Sequence, residues 1–288
     1  DTYLATDASL VEINPMVITP DDDVVAVGSG GSLALAAARV LKDIDLDDLP
    51  RFSTGAEEYD RVLGGGLVPG SAVLVGGHPG AGKSTLLLQT LCHLARDYEA
   101  LYITGEESLQ QISLRAQRLG LDAKHLSCYA ETCVEHVLGA MAERKPSLVV
   151  IDSIQTLFSE QVQSAPGSVS QVRESAAALV RYAKQAQCTV LLVGHVTKEG
   201  ALAGPRVLEH MVDAVLYFES DSGSRYRIVR SVKNRFGTVN EIGLFAMTGS
   251  GLKQVKNPSA IFLSGSEALP GSCITVIREG TRPMLLEL

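Results

Sequence analysis

One octapeptide constrains this chain more than any other feature. Gly77-His78-Pro79-Gly80-Ala81-Gly82-Lys83-Ser84 fits G-x-x-x-x-G-K-[ST] at every fixed position. The pattern needs a strand before it and a helix after it, and both signals are present: an apolar run over 72–75 and a helical pattern over 84–98. Glycines let successive backbone N–H groups close around phosphate oxygens, and a helix N-terminus adds a favourable field. Lys83 is expected at the β- and γ-phosphates, and the Ser84 hydroxyl on Mg²⁺. Gly77 to Thr85 (Gly77, His78, Pro79, Gly80, Ala81, Gly82, Lys83, Ser84, Thr85) thus form an expected cradle for ATP and Mg²⁺, on a loop expected at the surface.

The flanking sequence repeats the strand–helix alternation. Apolar strands are expected over 72–75, 100–103, 126–129, 148–151 and 189–193, with helices over 84–98, 108–119, 134–143 and 169–186. Short, wholly apolar strands between amphipathic helices predict an α/β fold with a mostly parallel sheet covered on both faces. After about residue 210 closely spaced strand signals (214–219, 224–233, 242–247) predict an antiparallel extension or the far edge of the sheet. Further strands are expected over 273–277 and 283–288, a short strand over 24–27, and an Ala/Leu helix over 32–42.

Three other strand ends carry chemistry. Asp152 closes the run over 148–151, where an acid holds Mg²⁺ through Ser84 or a water. Glu106 and Glu107 follow the strand over 100–103, where a carboxylate can orient water towards a γ-phosphate; both can instead cap the helix starting at Ser108, and the sequence does not choose between them as base. His195 follows the strand over 189–193, able to sense phosphate or position water, or to be a satisfied edge histidine.

Charge and cysteines bound the partners. Residues 1–50 hold ten acids against Arg39 and Lys42, so the whole formal charge of −8 lies there, while 51–288 balances at 23 of each sign. A neutral body can carry a local basic face, so a polyanionic partner is not excluded. Five cysteines without a C-x-x-C pair read as reduced thiols, which fits a cytoplasmic protein, and no apolar run approaches the ~18 residues of a membrane span. Zinc is not expected in this fragment.

Several segments together resemble one bacterial family. The runs 77–85, 104–111, 151–155, 194–198 and the K-N-R-F-G pentapeptide over 233–237 are similar to the RadA (Sms) family of DNA-repair proteins, from about 46 to 288. The resemblance implies a RecA-like P-loop ATPase over 46–258, the start of a truncated Lon-protease-like domain over 259–288, and an atypical leader and linker over 1–45. It implies a DNA-stimulated ATP hydrolase acting on branched recombination intermediates, with single-stranded or branched DNA and a recombinase as partners, and a hexameric ring when full length. Residues 1–27 resemble instead a fragment of the succinyl-CoA synthetase β subunit, to which no activity is assigned.

Two loops and one basic segment follow from that reading. DNA-facing loops are expected over 159–170 and 197–206, with Lys198 and Arg206 as contacts. Residues 222–236 carry Arg225, Arg227, Arg230, Lys233 and Arg235 and no acid. Arg225 and Arg227 read as a basic strand edge that resists aggregation. Strand alternation puts Lys233 and Arg235 on one face, where they can straddle the γ-phosphate of a neighbouring subunit. The competing reading is a nucleotide switch or clock-type phosphotransferase of the RecA superfamily that does not act on DNA.

Overall fold

Alternation within buried strands decides how the layers form. A computed structural model describes residues 16–18, 24–26, 50–195, 205–220, 223–263 and 272–287. The helix expected over 32–42 and the loop residue Lys198 lie outside the described residues, as does the side chain of Arg206. The chain divides into two units, 1–48 and 49–288. In the first, β1 (Met16–Ile18) and β2 (Val24–Ala26) pair antiparallel, with Val17 opposite Val25.

The second unit runs α1 (Glu57–Leu63), β3 (Ala72–Gly77), α2 (Lys83–Leu94), β4 (Ala100–Thr104), α3 (Leu109–Arg118), β5 (Ser127–Ala130), α4 (Val134–Arg144), β6 (Leu148–Asp152), α5 (Val169–Ala186) and β7 (Thr189–His195). It continues with α6 (Pro205–Glu209), β8 (Ala214–Glu219), β9 (Tyr226–Asn234), β10 (Ile242–Thr248), β11 (Gly251–Gln254), α7 (Ser259–Phe262), β12 (Ile274–Glu279) and β13 (Arg282–Glu287). Nine strands form one sheet in the order β11-β10-β9-β8-β3-β7-β6-β4-β5. The six from β8 to β5 are parallel, and β9, β10 and β11 continue antiparallel.

Period-two geometry splits each central strand between two cores. Val73 and Val75 of β3, Leu148 and Val150 of β6, and Leu191 and Val193 of β7 pack with Leu87 and Leu91 of α2. Their neighbours Leu74, Val149, Ile151, Val190 and Leu192 pack with Val137 and Met141 of α4 and Leu179 of α5. Burial on both faces is why these strands contain almost no polar residue. Among the described residues, no helix is long and apolar enough to cross a membrane.

The last hairpin, β12–β13, packs on the antiparallel end through Met284, which is buried with Ile242 and Leu244. Arg282 reaches Glu58 of α1 at 2.6 Å, an ion pair with both side chains largely buried. The edge reading of Arg225 and Arg227 is corrected here. β9 lies inside the sheet between β8 and β10, so it has no free edge to protect. Arg225 stacks on the Tyr226 ring, 4.9 Å from its centroid, and Arg227 hydrogen-bonds the glycine-rich loop.

Candidate active site

Four neighbouring parallel strands, β3, β7, β6 and β4, end on one side of the sheet, and each delivers polar residues there. Open α/β sheets bind ligands in such a crevice at the strands' carboxyl ends. From β3 the chain leaves at Gly77, exposes His78, Pro79 and Gly80, and turns back at buried Ala81. Gly82 caps α2 with a φ of 105°. That conformation is what demands glycine; a side chain there would also meet Met247 Cε at 2.9 Å, the mobile end of a methionine. Lys83, Ser84 and Thr85 open the helix, and no acid in its first turn offsets the positive end of the dipole.

The loop was expected at the surface, and for Lys83 that is corrected: its residue is 3% exposed. Nζ donates to the carbonyls of Gly77 (2.7 Å) and His78 (2.9 Å), which hold the ammonium under the loop. Burial pushes its pKa down to about 8, against the opposing pull of Asp152 and Glu106.

Asp152 ends β6 and is 6% exposed. Its Oδ2 accepts the Tyr102 hydroxyl at 2.5 Å, while Oδ1 is buried with no partner. An unpaired buried acceptor costs about 1–3 kcal/mol, so an orphan of this kind marks a position that a ligand can fill. Burial, with the Asp152 carboxylate beside it, raises the Tyr102 pKa well above the ordinary phenol range.

The turn after β4 is drawn over β6 by the Gly105 N–H, which donates to the Asp152 carbonyl at 3.0 Å. Any side chain at 105 would collide with Thr156. A reciprocal Ser108–Gln111 capping box then fixes the start of α3. Thr104 Oγ1 accepts the N–H groups of Glu106 (3.3 Å) and Glu107 (3.0 Å), and from that point the two glutamates diverge. Glu106 Oε1 accepts the Ser153 hydroxyl at 2.5 Å and lies 3.1 Å from His195 Nε2. The His195 hydrogen bond first, and Ser153 with it, holds the Glu106 carboxyl down at about 2 despite partial burial. Glu107, just before the N-cap Ser108, reaches forward along α3 and pairs with Arg115. The structure therefore brings Glu106, Asp152 and His195 together, with donor atoms within 4.8 Å of one another, and leaves Glu107 outside that group.

The donor set bears on a metal. Asp152 Oδ1 is a buried, unpartnered carboxylate oxygen, and the half-buried Ser84 hydroxyl makes no hydrogen bond among the described residues. Two hard oxygen donors of this kind suit Mg²⁺, whereas the His195 nitrogen suits softer ions.

Lys233 and Arg235 lie at the opposite edge of the sheet. Arg235 stands one residue beyond β9, and a bulge opposite Val215 and Leu216 falls before Lys233, upstream of both residues. The two side chains converge on the turn after α6. Lys233 Nζ donates to the carbonyls of Glu209 (2.6 Å) and Val212 (2.8 Å). Arg235 Nη1 lies 3.2 Å from Asp213 Oδ1, while Asp213 Oδ2 accepts the N–H of Ala72 at 2.9 Å and pairs with Lys184. Burial and then Arg235 lower the Lys233 pKa. Ala72 begins β3 and Gly77 ends it, about 17 Å apart at the usual strand rise of about 3.3 Å per residue.

Sequence reasoning missed Tyr102, Ser153 and Arg115. A tyrosine in an otherwise apolar buried strand was the available signal for the first, because a buried phenol needs a partner. Ser153 and Arg115 gave none, since one acts across 47 residues and the other only selects between adjacent glutamates.

Comparison with known proteins agrees with this geometry. Residues 41–201 match the family described as AAA domain. The chain is 60% identical over 263 residues to the DNA repair protein RadA of Pseudomonas aeruginosa, covering 91% of this chain and 58% of that one. It is 58% identical to the RadA of Escherichia coli, over 91% of this chain and 57% of that one, and 52% identical to the RadA of Bacillus subtilis, over 86% and 55%. The chain thus spans under three-fifths of the length of these relatives. A KaiC-like protein of Pyrococcus horikoshii OT3 superposes with a TM-score of 0.60 at 18% identity, covering 72% of this chain and 99% of that one, a likeness of fold alone. The fold is therefore that of RecA-like P-loop ATPases, and the chain belongs to the AAA-domain family, where the relatives just described are named DNA repair protein RadA.

Proposed function

We propose that this chain is an ATP-hydrolysing motor subunit of recombinational DNA repair, acting on branched DNA by migrating the branch. The observation that carries the hydrolytic part is the convergence of Lys83, Asp152, Glu106 and His195 on four adjacent strand ends. Free backbone N–H groups of the loop, that of Gly82 among them, and Lys83 take the phosphates. Ser84 and Asp152 hold Mg²⁺, which when bound neutralises phosphate charge. Glu106, kept ionised by His195 and Ser153, orients the attacking water. A carboxylate this acidic is a poor proton acceptor, and loose phosphoryl-transfer transition states ask for positioning more than for base strength. His195 touches Glu106 and sits at the root of the segment that carries Lys198 and Arg206, the residues we assign to DNA.

The DNA part rests on the names of the relatives and on the basic residues near 198 and 206. We read 46–258 as the motor body and 259–288 as the start of the next domain. The assembly is a ring in the cytoplasm, with a recombinase as partner. Phosphate release with and without single-stranded DNA tests the whole. Stimulation by DNA is expected, and turnover indifferent to DNA removes the motor reading while leaving hydrolysis.

Lys83 supplies a pH signature. Its ammonium loses its proton as pH rises through about 8 in the free protein, and bound phosphates restore it. Nucleotide binding should take up a proton through Lys83 at about pH 8.5, with affinity falling as pH rises through about 8. Calorimetry of ADP binding in two buffers of different ionisation enthalpy reads this directly. Buffer-independent heats at that pH would remove Lys83 from the phosphate site.

A further inference from the structure

Arg227 belongs to none of the groups described above, yet it touches the phosphate loop. It is the second residue of β9 and pairs with Phe245 of β10. Nη1 donates to two carbonyls at the entrance to its own strand, Ser224 (2.5 Å) and Tyr226 (2.8 Å). That leaves the guanidinium plane fixed from one side, and on the other Nε donates to the carbonyl of Ala81 at 3.1 Å. The rigid fork of an arginine can hold three carbonyls in this way, where a lysine ammonium would not fix a plane.

The consequence lies in one peptide group. The bond between Ala81 and Gly82 is trans, so its carbonyl and the following N–H point to opposite sides. Drawing the Ala81 carbonyl towards β9 turns the Gly82 N–H away from it. The neighbouring Ala81 N–H is already spent on His78, 3.2 Å away, whereas the Gly82 N–H has no acceptor among the described residues. Met247 and Leu252, from β10 and β11, close the other approach to Gly82. A glycine at a φ of 105° is otherwise free to rotate this peptide.

We propose that Arg227 is a positioning residue for the nucleotide, acting within its own subunit by holding the Ala81–Gly82 peptide so that the Gly82 N–H faces the phosphates. The antiparallel extension is then part of the nucleotide site: β9 supplies the brace, and β10 and β11 supply the wall. This rests on the nucleotide reading of the loop given above. The ligand class is a nucleoside di- or triphosphate, and the contribution is made before binding, as a donor already aimed. Its loss therefore falls on affinity and not on the chemical step.

Mg-ADP titration and steady-state ATP turnover of the whole chain test this. Arg227→Ala should raise the ADP Kd and the ATP KM roughly tenfold, the scale of one charge-assisted hydrogen bond, with the loss in KM and not in kcat. Arg227→Gln keeps the packing of the side-chain stem and should give the same split, and it stands in if the alanine variant does not fold. A Kd at the parent value, or a loss confined to kcat, overturns the proposal. A parent chain that binds no Mg-ADP overturns the nucleotide reading, and the proposal with it.

Discussion

Glu106→Gln should bind ATP as tightly as the parent and hydrolyse it about 100-fold more slowly or worse, the scale of losing one preorganised charge at the reacting centre. The amide keeps the size and the place of the carboxyl, and it can still accept from Ser153 and His195. What it loses is the charge that orients water. The phosphate loop is untouched, so the defect falls on kcat. Glu107→Gln should change turnover by less than about threefold, because Glu107 is engaged with Arg115 and lies outside the Glu106–Asp152–His195 group. Turnover by both variants, with ADP and ATP affinity alongside, decides the choice that the sequence left open. A large loss in Glu107→Gln with none in Glu106→Gln would reverse the assignment.

The second large effect concerns assembly. If Arg235 serves a neighbouring subunit's γ-phosphate, as strand alternation and the family resemblance lead one to expect, Arg235→Ala should bind ATP normally and turn it over roughly 10³-fold more slowly, the lower end of what a trans arginine supplies. Arg235 is tied to Asp213 at the amino end of β3, and the loop of its own subunit leaves from the carboxyl end. An arginine side chain cannot span the ~17 Å length of that strand, so any contact with phosphate must be made to a neighbour's nucleotide. The Asp213 carboxyl is 3% exposed and its Oδ1 is held by Arg235, so a contact with phosphate must offset the loss of that bond. Mixing Arg235→Ala with Lys83→Ala should restore part of the activity, since mixed assemblies contain some interfaces with both groups intact. No recovery in mixtures that demonstrably co-assemble would remove the finger.

The sequence was most legible where one residue's environment is local. The strands 148–151 and 189–193 announce themselves because burial on both faces excludes polar residues, and α5 was read at 169–186 from its period alone. The loop over 77–84 was legible because its glycines serve backbone needs that few other sequences meet. α1 was not seen. It is seven residues long and buries an acid, Glu58, whose carboxylate is satisfied by the N–H of Leu244 and by Arg282, both distant in sequence. β11 escaped for the same reason: its four residues are held by Gln89 of α2, whose side chain meets both Leu252 backbone groups.

The site divides in the same way. Lys83, Glu106, Asp152 and His195 each follow a strand signal, so their shared edge could be inferred. Their mutual contacts could not, because strand order decides them: β6 and β7 lie between β4 and β3, although two helices separate β4 from β6 in sequence and four separate β3 from β7. Burial of Lys83 was hidden as well, since the two carbonyls that cover it come from the loop's own fold.

Mg²⁺-dependent ATP hydrolysis at this carboxyl edge is the activity on which the other proposed roles depend. Phosphate release from ATP by the parent chain, measured beside Lys83→Ala purified in the same way, tests it most directly. The variant loses a buried ammonium that costs desolvation to keep, so its fold should persist by circular dichroism. Repeated Mg²⁺-dependent turnovers are expected in the parent and none above background in Lys83→Ala. Equal release by both would contradict that expectation.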